Sequence, residues 1–174
     1  QKRKRFVAFH PMWGTENSGP KSAQRESFSG RAAVICDKEA SAEDALSLVE
    51  KVAKALEMNT IFMASEAHDV HTAYISHISP ITSYALANTV LEKEREEDTI
   101  FQLASSGFSS TVRLAKSHPE MWVPIFKQNK ENVLDVLNEH ITQLRKFKAA
   151  LEKENYELLE ELIRNANKIR GILK

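Results

Sequence analysis

The sequence has few of the residues that build covalent or phosphate-cradling chemistry. Among its 174 residues there is one cysteine, Cys36, so no disulfide can form within the chain. Cys36 ends the apolar run Ala32-Ala33-Val34-Ile35, where a buried, inert thiol is expected. A reactive thiol needs an electropositive, accessible setting that such a run does not offer. The glycines, at positions 14, 19, 30, 107 and 171, spell neither G-x-G-x-x-G nor G-x-x-x-x-G-K-[ST], which excludes both Gly-rich phosphate turns from this chain. Net charge is missing as well, because 24 Lys and Arg balance 24 Asp and Glu. A balanced chain sets up no overall cationic field for a phosphate backbone or an anionic membrane, so no nucleic-acid partner is expected. The one dense basic run, Lys2 to Arg5, reads as a solvated terminus. No apolar run approaches the roughly 20 residues of a membrane span, and the N-terminus lacks the apolar centre of a signal peptide. A cytoplasmic protein without membrane contact is the expectation. The chain starts at Gln1, without an initiator Met, and soon enters a strand-like segment, so it reads as a fragment whose upstream part is missing.

What is present changes character along the chain. In the first third, Phe6-Val7-Ala8-Phe9, Ala32 to Cys36 and Thr60-Ile61-Phe62-Met63 are predicted strands, short apolar runs flanked by turn residues. Between the last two, Ser41 is placed as the N-cap of a helix with Glu43 and Asp44 in its first turn, where the helix dipole favours anions. Its apolar face is Ala45, Leu48, Val49, Val52 and Leu56. After about Ser65 the strand signals stop, and helical periodicity runs to Lys174, interrupted by Pro80, Gly107, Pro119 and Pro124. Pro80 is expected to kink or end the helix begun near Ser65, since proline removes a hydrogen bond and clashes with the preceding turn. Pro119 suits the first turn of a new helix capped by Ser117 or His118. From Asn129 onward, Val133, Leu137, Ile141, Leu144, Phe147 and Leu151, then Leu158, Leu159, Leu162, Ile163, Ala166 and Ile169, mark two long amphipathic helices. Their apolar stripes call for helix-on-helix packing, within the chain or across a dimer. The fold class is α+β, predominantly α.

Three clusters could carry chemistry. His10-Pro11-Met12-Trp13-Gly14-Thr15-Glu16-Asn17-Ser18-Gly19 follows a predicted strand, the place where an α/β sheet presents reactive groups. A loop histidine bonded to nearby backbone is the plainer reading. Glu66, His68, Asp69, His71, Ser76 and His77 share one predicted helix, on which His68 and His71 face the same way while His77 projects about 180° from His68. H-x-x-H lacks the zincin spacing, so a metal site there would need ligands from elsewhere, and no metal ligand is assigned. In the third cluster, Ser106 to Trp122, Arg113 sits between apolar Val112 and Leu114, where a guanidinium against apolar walls can clamp a carboxylate. A surface ion pair is the alternative.

Taken together and in this order, the clusters resemble prephenate dehydrogenases, of the prephenate/arogenate dehydrogenase family. The family's His-Pro-Met-x-Gly-x-Glu-x-Ser-Gly pattern matches His10 to Gly19, its Ser-His-Leu-Pro-His partly matches Ser76 to Pro80, and its Gly-Phe-x-Asp-x-Thr-Arg leading to Pro-x-Met-Trp matches Gly107 to Trp122. The likeness covers roughly residues 6 to 128. Here Ser110 and Val112 replace the family's Asp and Thr before the arginine, Pro80 replaces its second His, His118 stands where Asp is usual, and Trp13 fills a position that is ordinarily small.

The resemblance implies the last strands of a Rossmann-like nucleotide-binding domain over residues 1–64, with the catalytic histidine loop, and an all-helical substrate-binding and dimerisation domain over 65–174. It implies NAD or NADP, bound mainly by an upstream domain, with no cofactor-binding residue located in this chain. It also implies oxidative decarboxylation of prephenate to 4-hydroxyphenylpyruvate in tyrosine biosynthesis, or the same reaction of arogenate, by a homodimer. This chain alone would be inactive. On this reading His10 takes the hydroxyl proton, Arg113 and His77 bind substrate, and Thr15, Glu16 and Trp122 line the pocket, Glu16 shaping access to it. Two readings stand outside the family: a non-enzymatic helical dimerisation module, and a metal-dependent hydrolase built on Glu66, His68 and His71.

Overall fold

A strand that is apolar at every position must be covered on both faces. In the computed structural model, which describes residues 4–17, 19–97 and 99–173, Ala32–Cys36 is the central strand β2 of a three-stranded sheet, with Ala33, Val34, Ile35 and Cys36 buried. Lys2 and Arg3 of the basic run and Ser18 of the histidine loop lie outside the described residues. Strand β1 (Ala8–Pro11) pairs antiparallel to β2, Ala8 with Cys36 through Pro11 with Ala33. Strand β3 (Asn59–Met63) pairs parallel to β2, Ala32 with Asn59 through Cys36 with Met63. The parallel pair is joined through helix α1 (Glu43–Ala55), as parallel strands require a crossover. Ala53 of α1 meets Ala33 and Met58 in a core flanked by Phe9 and Phe28.

Two local features differ from the sequence expectation. The first strand lies two residues later than the apolar run Phe6 to Phe9 suggests and takes in His10 and Pro11. Proline is tolerated because, among the described residues, β1 has β2 on one side only, and Met12 N–H resumes the ladder by donating to Ala32 O at 2.8 Å. Ser41 is not the cap of α1. Its N–H closes the 3₁₀ turn Lys38–Ala40 by donating to Lys38 O, its buried Oγ has no partner, and Ala42 takes the cap position. The acidic first turn still contributes, since Asp44 Oδ1 accepts from Ala45 N–H at 2.9 Å.

The helical part opens with α2 (Ser65–Thr72), whose half-buried N-terminus is tied to the sheet: Asp37, just past β2, accepts from Ser65 N–H at 2.8 Å. Pro80 does not end the helical path beyond α2. The backbone widens into a five-residue π turn, Ala73–His77, and continues as α3 (Ile78–Glu94) with Pro80 fully buried. A proline at position 80 has no N–H for Ser76 O and presses its ring on that carbonyl, and a widened turn at this point relieves both. Gly107 and Pro124 likewise fall inside helices, α4 (Ser106–Thr111) and α5 (Pro119–Gln128). Pro119 is the first residue of α5, with His118 at the cap position, making no side-chain cap bond. Arg113 belongs to a 3₁₀ turn, Arg113–Lys116, rather than an α-helix. Ser83 and Tyr84 of α3 hold this stretch by donating to Thr111 O at 2.6 Å and Ser117 O at 3.1 Å.

Helices α6 (Lys130–Glu152) and α7 (Tyr156–Asn167) complete the chain, with Asn155 capping α7 by accepting from Leu158 N–H at 3.0 Å. The chain separates into two compact units, Gln1–Val133 and Leu134–Lys174. In the second, Ala150 is buried, while Ile141, Leu144, Leu151, Leu158, Ile163 and Ile169 are exposed. Among the described residues no helix is long and apolar enough to cross a membrane.

The core around β2 makes a direct prediction. Ile35→Ala, at a fully buried site, should lower unfolding free energy by about 2–5 kcal/mol. Urea denaturation should show an earlier midpoint at unchanged slope.

Candidate active site

The end of β1, α2, the π turn and α5 enclose one cleft in the first unit, of about 810 Å³. Its walls include His10, Trp13, Thr15, His68, Asp69, His77, Arg113, Trp122 and Asn129. Five of the six site residues expected from the sequence thus come together: His10, Thr15, His77, Arg113 and Trp122. Glu16 is not in the lining. Its carboxylate instead pairs with Arg113, taking the place of the partner that Ser110 cannot supply. Ser110 Oγ turns back to donate to Gly107 O at 2.9 Å.

The π turn explains why two histidines nine residues apart share the cleft. On a regular α-helix His68 and His77 would point in opposite directions. Five residues wound with i→i+5 bonds advance fewer degrees each, and His77 swings back toward the side of His68. His71, by contrast, is exposed and does not line the cleft, nor does Glu66. Among the described residues no group of three His, Cys, Asp or Glu is placed to hold a metal ion.

The polar contacts form two short chains. In one, Asp69 Oδ1 lies 2.9 Å from His68 Nδ1, and His68 Nε2 lies 2.8 Å from His10 Nδ1. In the other, Asn129 Nδ2 donates to the backbone carbonyl of Asp69 at 2.7 Å and lies 3.3 Å from His77 Nδ1, while Asn129 Oδ1 accepts from Asn132 Nδ2 at 2.7 Å. A carbonyl only accepts, so the amide orientation of Asn129 is settled and His77 Nδ1 must be an acceptor. His77 therefore carries its proton on Nε2. The edge of His77 meets Trp122 at 6.5 Å between ring centres, and Trp122 stacks on Phe126 at 5.6 Å. The Trp122 indole N–H is buried and finds no hydrogen-bond partner among the described residues, an arrangement that costs about 1–3 kcal/mol and suits a site awaiting an acceptor.

Partial loss of hydration in the cleft, reinforced by His68, lowers the pKa of His10 below the ordinary 6.5. His77 is lowered too, first by lost hydration, with Asp69 opposing and His68 and His10 adding to the shift. Both rings are neutral at neutral pH. Glu16 lies below its ordinary value of 4.5, chiefly through its own backbone N–H and then through Arg113 and Lys116, against some desolvation. The cleft thus combines neutral imidazoles, one guanidinium and an unused indole donor, a set able to accept a proton from a bound anionic molecule. His68, Asp69 and Asn129 were not assigned such parts from sequence. The adjacent pair His68-Asp69 carried a signal, whereas Asn129 reads only as the start of the terminal helical stretch.

Comparison with known proteins identifies the family of the chain. Residues 64–165 match the family model for the prephenate dehydrogenase dimerization domain, and residues 1–62 match that for the prephenate dehydrogenase nucleotide-binding domain. The chain belongs to the prephenate dehydrogenase family. It is 28% identical over 168 residues to the prephenate dehydrogenase of Bacillus subtilis, covering 97% of this chain and 45% of that protein. The crystal structure of Aquifex aeolicus prephenate dehydrogenase in complex with hydroxyphenyl propionate and NAD+ superposes with a TM-score of 0.89 at 29% identity, covering 99% of this chain and 60% of that one. Synechocystis arogenate dehydrogenase superposes with a TM-score of 0.78 at 25% identity, covering 97% and 62%. The chain spans about half the length of the curated relatives it matches. A Rossmann-like start followed by a helical domain, as expected from the sequence, is the fold observed.

The lowered histidine values fix a pH dependence. When a folded histidine has a lower pKa than the unfolded one, the unfolded chain binds protons first on acidification, so stability falls. Folding free energy should be level above the unfolded value of about 6.5 and decline as pH drops from there toward the folded values of His10 and His77. Urea midpoints across pH 8 to 5 should show this decline, and a His10→Gln, His77→Gln double variant should flatten it.

Proposed function

We propose that this chain carries the substrate-binding and dimerisation part of an NAD(P)-dependent dehydrogenase that converts prephenate to 4-hydroxyphenylpyruvate in tyrosine biosynthesis, in the cytoplasm. The observation that carries the reading is a neutral His10 facing a cleft that also holds Arg113, His77 and the unpartnered Trp122 N–H. The division of labour falls near residue 64, with the sheet and His10 loop before it and the helical substrate wall after it.

NAD(P), when bound, supplies the hydride acceptor. The cleft volume falls within the usual range for small-molecule sites, and no Gly-rich turn of this chain is available to cradle a pyrophosphate, so no residue here is assigned to the cofactor's phosphates. As the ring carbon bearing the hydroxyl loses hydride, His10 Nε2 takes the hydroxyl proton and a carbonyl forms. The bond to the ring carboxylate then breaks, its electron pair makes the ring aromatic, and carbon dioxide leaves. The resulting phenoxide takes the proton back from His10. Arg113 holds a substrate carboxylate in exchange for Glu16, which moves aside at the mouth of the cleft. His77 Nε2–H and the Trp122 N–H donate to the remaining oxygens, and Thr15 adds a hydroxyl to the wall.

Arogenate is the second candidate substrate. Asp69 is the carboxylate of the cleft lining, and it offers a partner for the ammonium that distinguishes arogenate from prephenate.

The full-length protein should form reduced nicotinamide from prephenate or arogenate. His10→Ala should lower kcat about 10²- to 10⁴-fold. Arg113→Ala should chiefly raise KM, by about 10- to 100-fold for a lost charged hydrogen bond. A folded wild type that turns over neither substrate with either cofactor would leave the helical interaction module as the better reading. The exposed apolar face of the second unit and the dimerization-domain match support a homodimer. Sedimentation equilibrium at micromolar concentration should give a dimer, and Leu144→Glu with Leu151→Glu should dissociate it.

A further inference from the structure

The role of His68 and Asp69 goes beyond lining the cleft. Asp69 is a carboxylate, and an ionised carboxylate only accepts hydrogen bonds. At 2.9 Å from its Oδ1, His68 Nδ1 must therefore carry the proton. A neutral His68 is then bare at Nε2 and can only accept there. His10 Nδ1, 2.8 Å away, must donate. In a neutral ring the opposite arrangement, with His68 Nε2–H donating to His10, would leave the bare Nδ1 lone pair of His68 against a carboxylate oxygen at hydrogen-bond distance. Each choice of proton position follows from the one before it, and the last leaves His10 with its free lone pair on Nε2.

We propose that Asp69 and His68 are positioning residues that hold His10 in its Nδ1–H tautomer, so that Nε2 is the nitrogen that accepts the substrate's hydroxyl proton. The proposal rests on the reading of His10 as the proton acceptor, but its core, the tautomer, can be read without any reaction. When the hydroxyl O–H bond breaks and its proton passes to Nε2, the resulting imidazolium keeps its Nδ1–H bond to His68. The chain from Asp69 stabilises that added charge without itself taking the proton. His77 provides an internal contrast. Its Nδ1 accepts from Asn129, so it is held in the opposite tautomer, with the proton on Nε2. Two neutral histidines in one cleft are set to different tasks, one to accept and one to donate.

The test uses the full-length protein at pH 8, free of substrate, with histidine rings observed by long-range proton–nitrogen NMR and assigned through His10→Asn and His68→Ala. His10 and His68 should show the Nδ1–H pattern and His77 the Nε2–H pattern. In Asp69→Asn the amide can donate to His68 Nδ1 and reverse the chain, so His10 should lose its Nδ1–H pattern. Its kcat should fall about 100-fold or more, with KM changed less than about threefold. Should Asp69→Asn fold poorly, His68→Ala serves instead, and His10 should then become a mixture of tautomers with reduced kcat. A wild-type His10 protonated at Nε2, or an Asp69→Asn variant that keeps both the Nδ1–H pattern and full kcat, would overturn the proposal. The expected tautomers in a wild type with no turnover would support the chain of contacts and sink the dehydrogenase reading alone.

Discussion

Pro80 offers no N–H to the carbonyl of Ser76, and the helix that contains it widens over Ala73–His77 instead of breaking. That local accommodation sets the direction of His77, and with it the composition of the cleft. Without the wide turn, His68 and His77 would lie on opposite faces, and Asn129 could not reach both the Asp69 carbonyl and the His77 ring. The burial of Pro80 keeps the wide turn in place, because moving the proline out of the core would expose apolar surface. A residue that usually ends helices here forces a change of phase between two stretches of one helix.

Around that turn, the cleft is assembled from the sheet and the helices by a few polar ties. Asp37, leaving the central strand, caps α2 and so fixes the height at which His68 meets His10 of the neighbouring strand. Ser83 and Tyr84 anchor the backbone on either side of Arg113, and Glu16 steadies its guanidinium from the histidine loop. Each tie joins segments far apart in sequence, and each is a single hydrogen bond or ion pair. Directional contacts thus join the apolar and ring contacts of the lining in holding the pocket.

Much of this was legible in the sequence, for physical reasons that also mark the limit. Strand β2 announced itself as a continuous apolar run, and the helices of the second half through periodicity, since burial requires these patterns. His10, His77, Arg113 and Trp122 were found because their motifs occur in a fixed order. Ser41 misled because a serine before an acidic first turn looks like a cap, whereas a preceding 3₁₀ turn had already engaged its backbone. Pro80 misled because propensity alone cannot show that a helix will change its winding. The pairing of Glu16 with Arg113, 97 residues apart, and the contacts of Asn129 belong to tertiary geometry and leave no local trace.

The two tryptophans of the chain, Trp13 and Trp122, both stand in the wall of this cleft. One meets Phe28 edge-on, and the other is stacked on Phe126 with its N–H unsatisfied. All indole emission of this chain thus arises at the cleft, and none from the sheet's core or the terminal helices. Light absorbed near the red edge of the protein spectrum excites the cleft walls alone, so a molecule entering the cleft reports its own arrival optically, without a label attached anywhere.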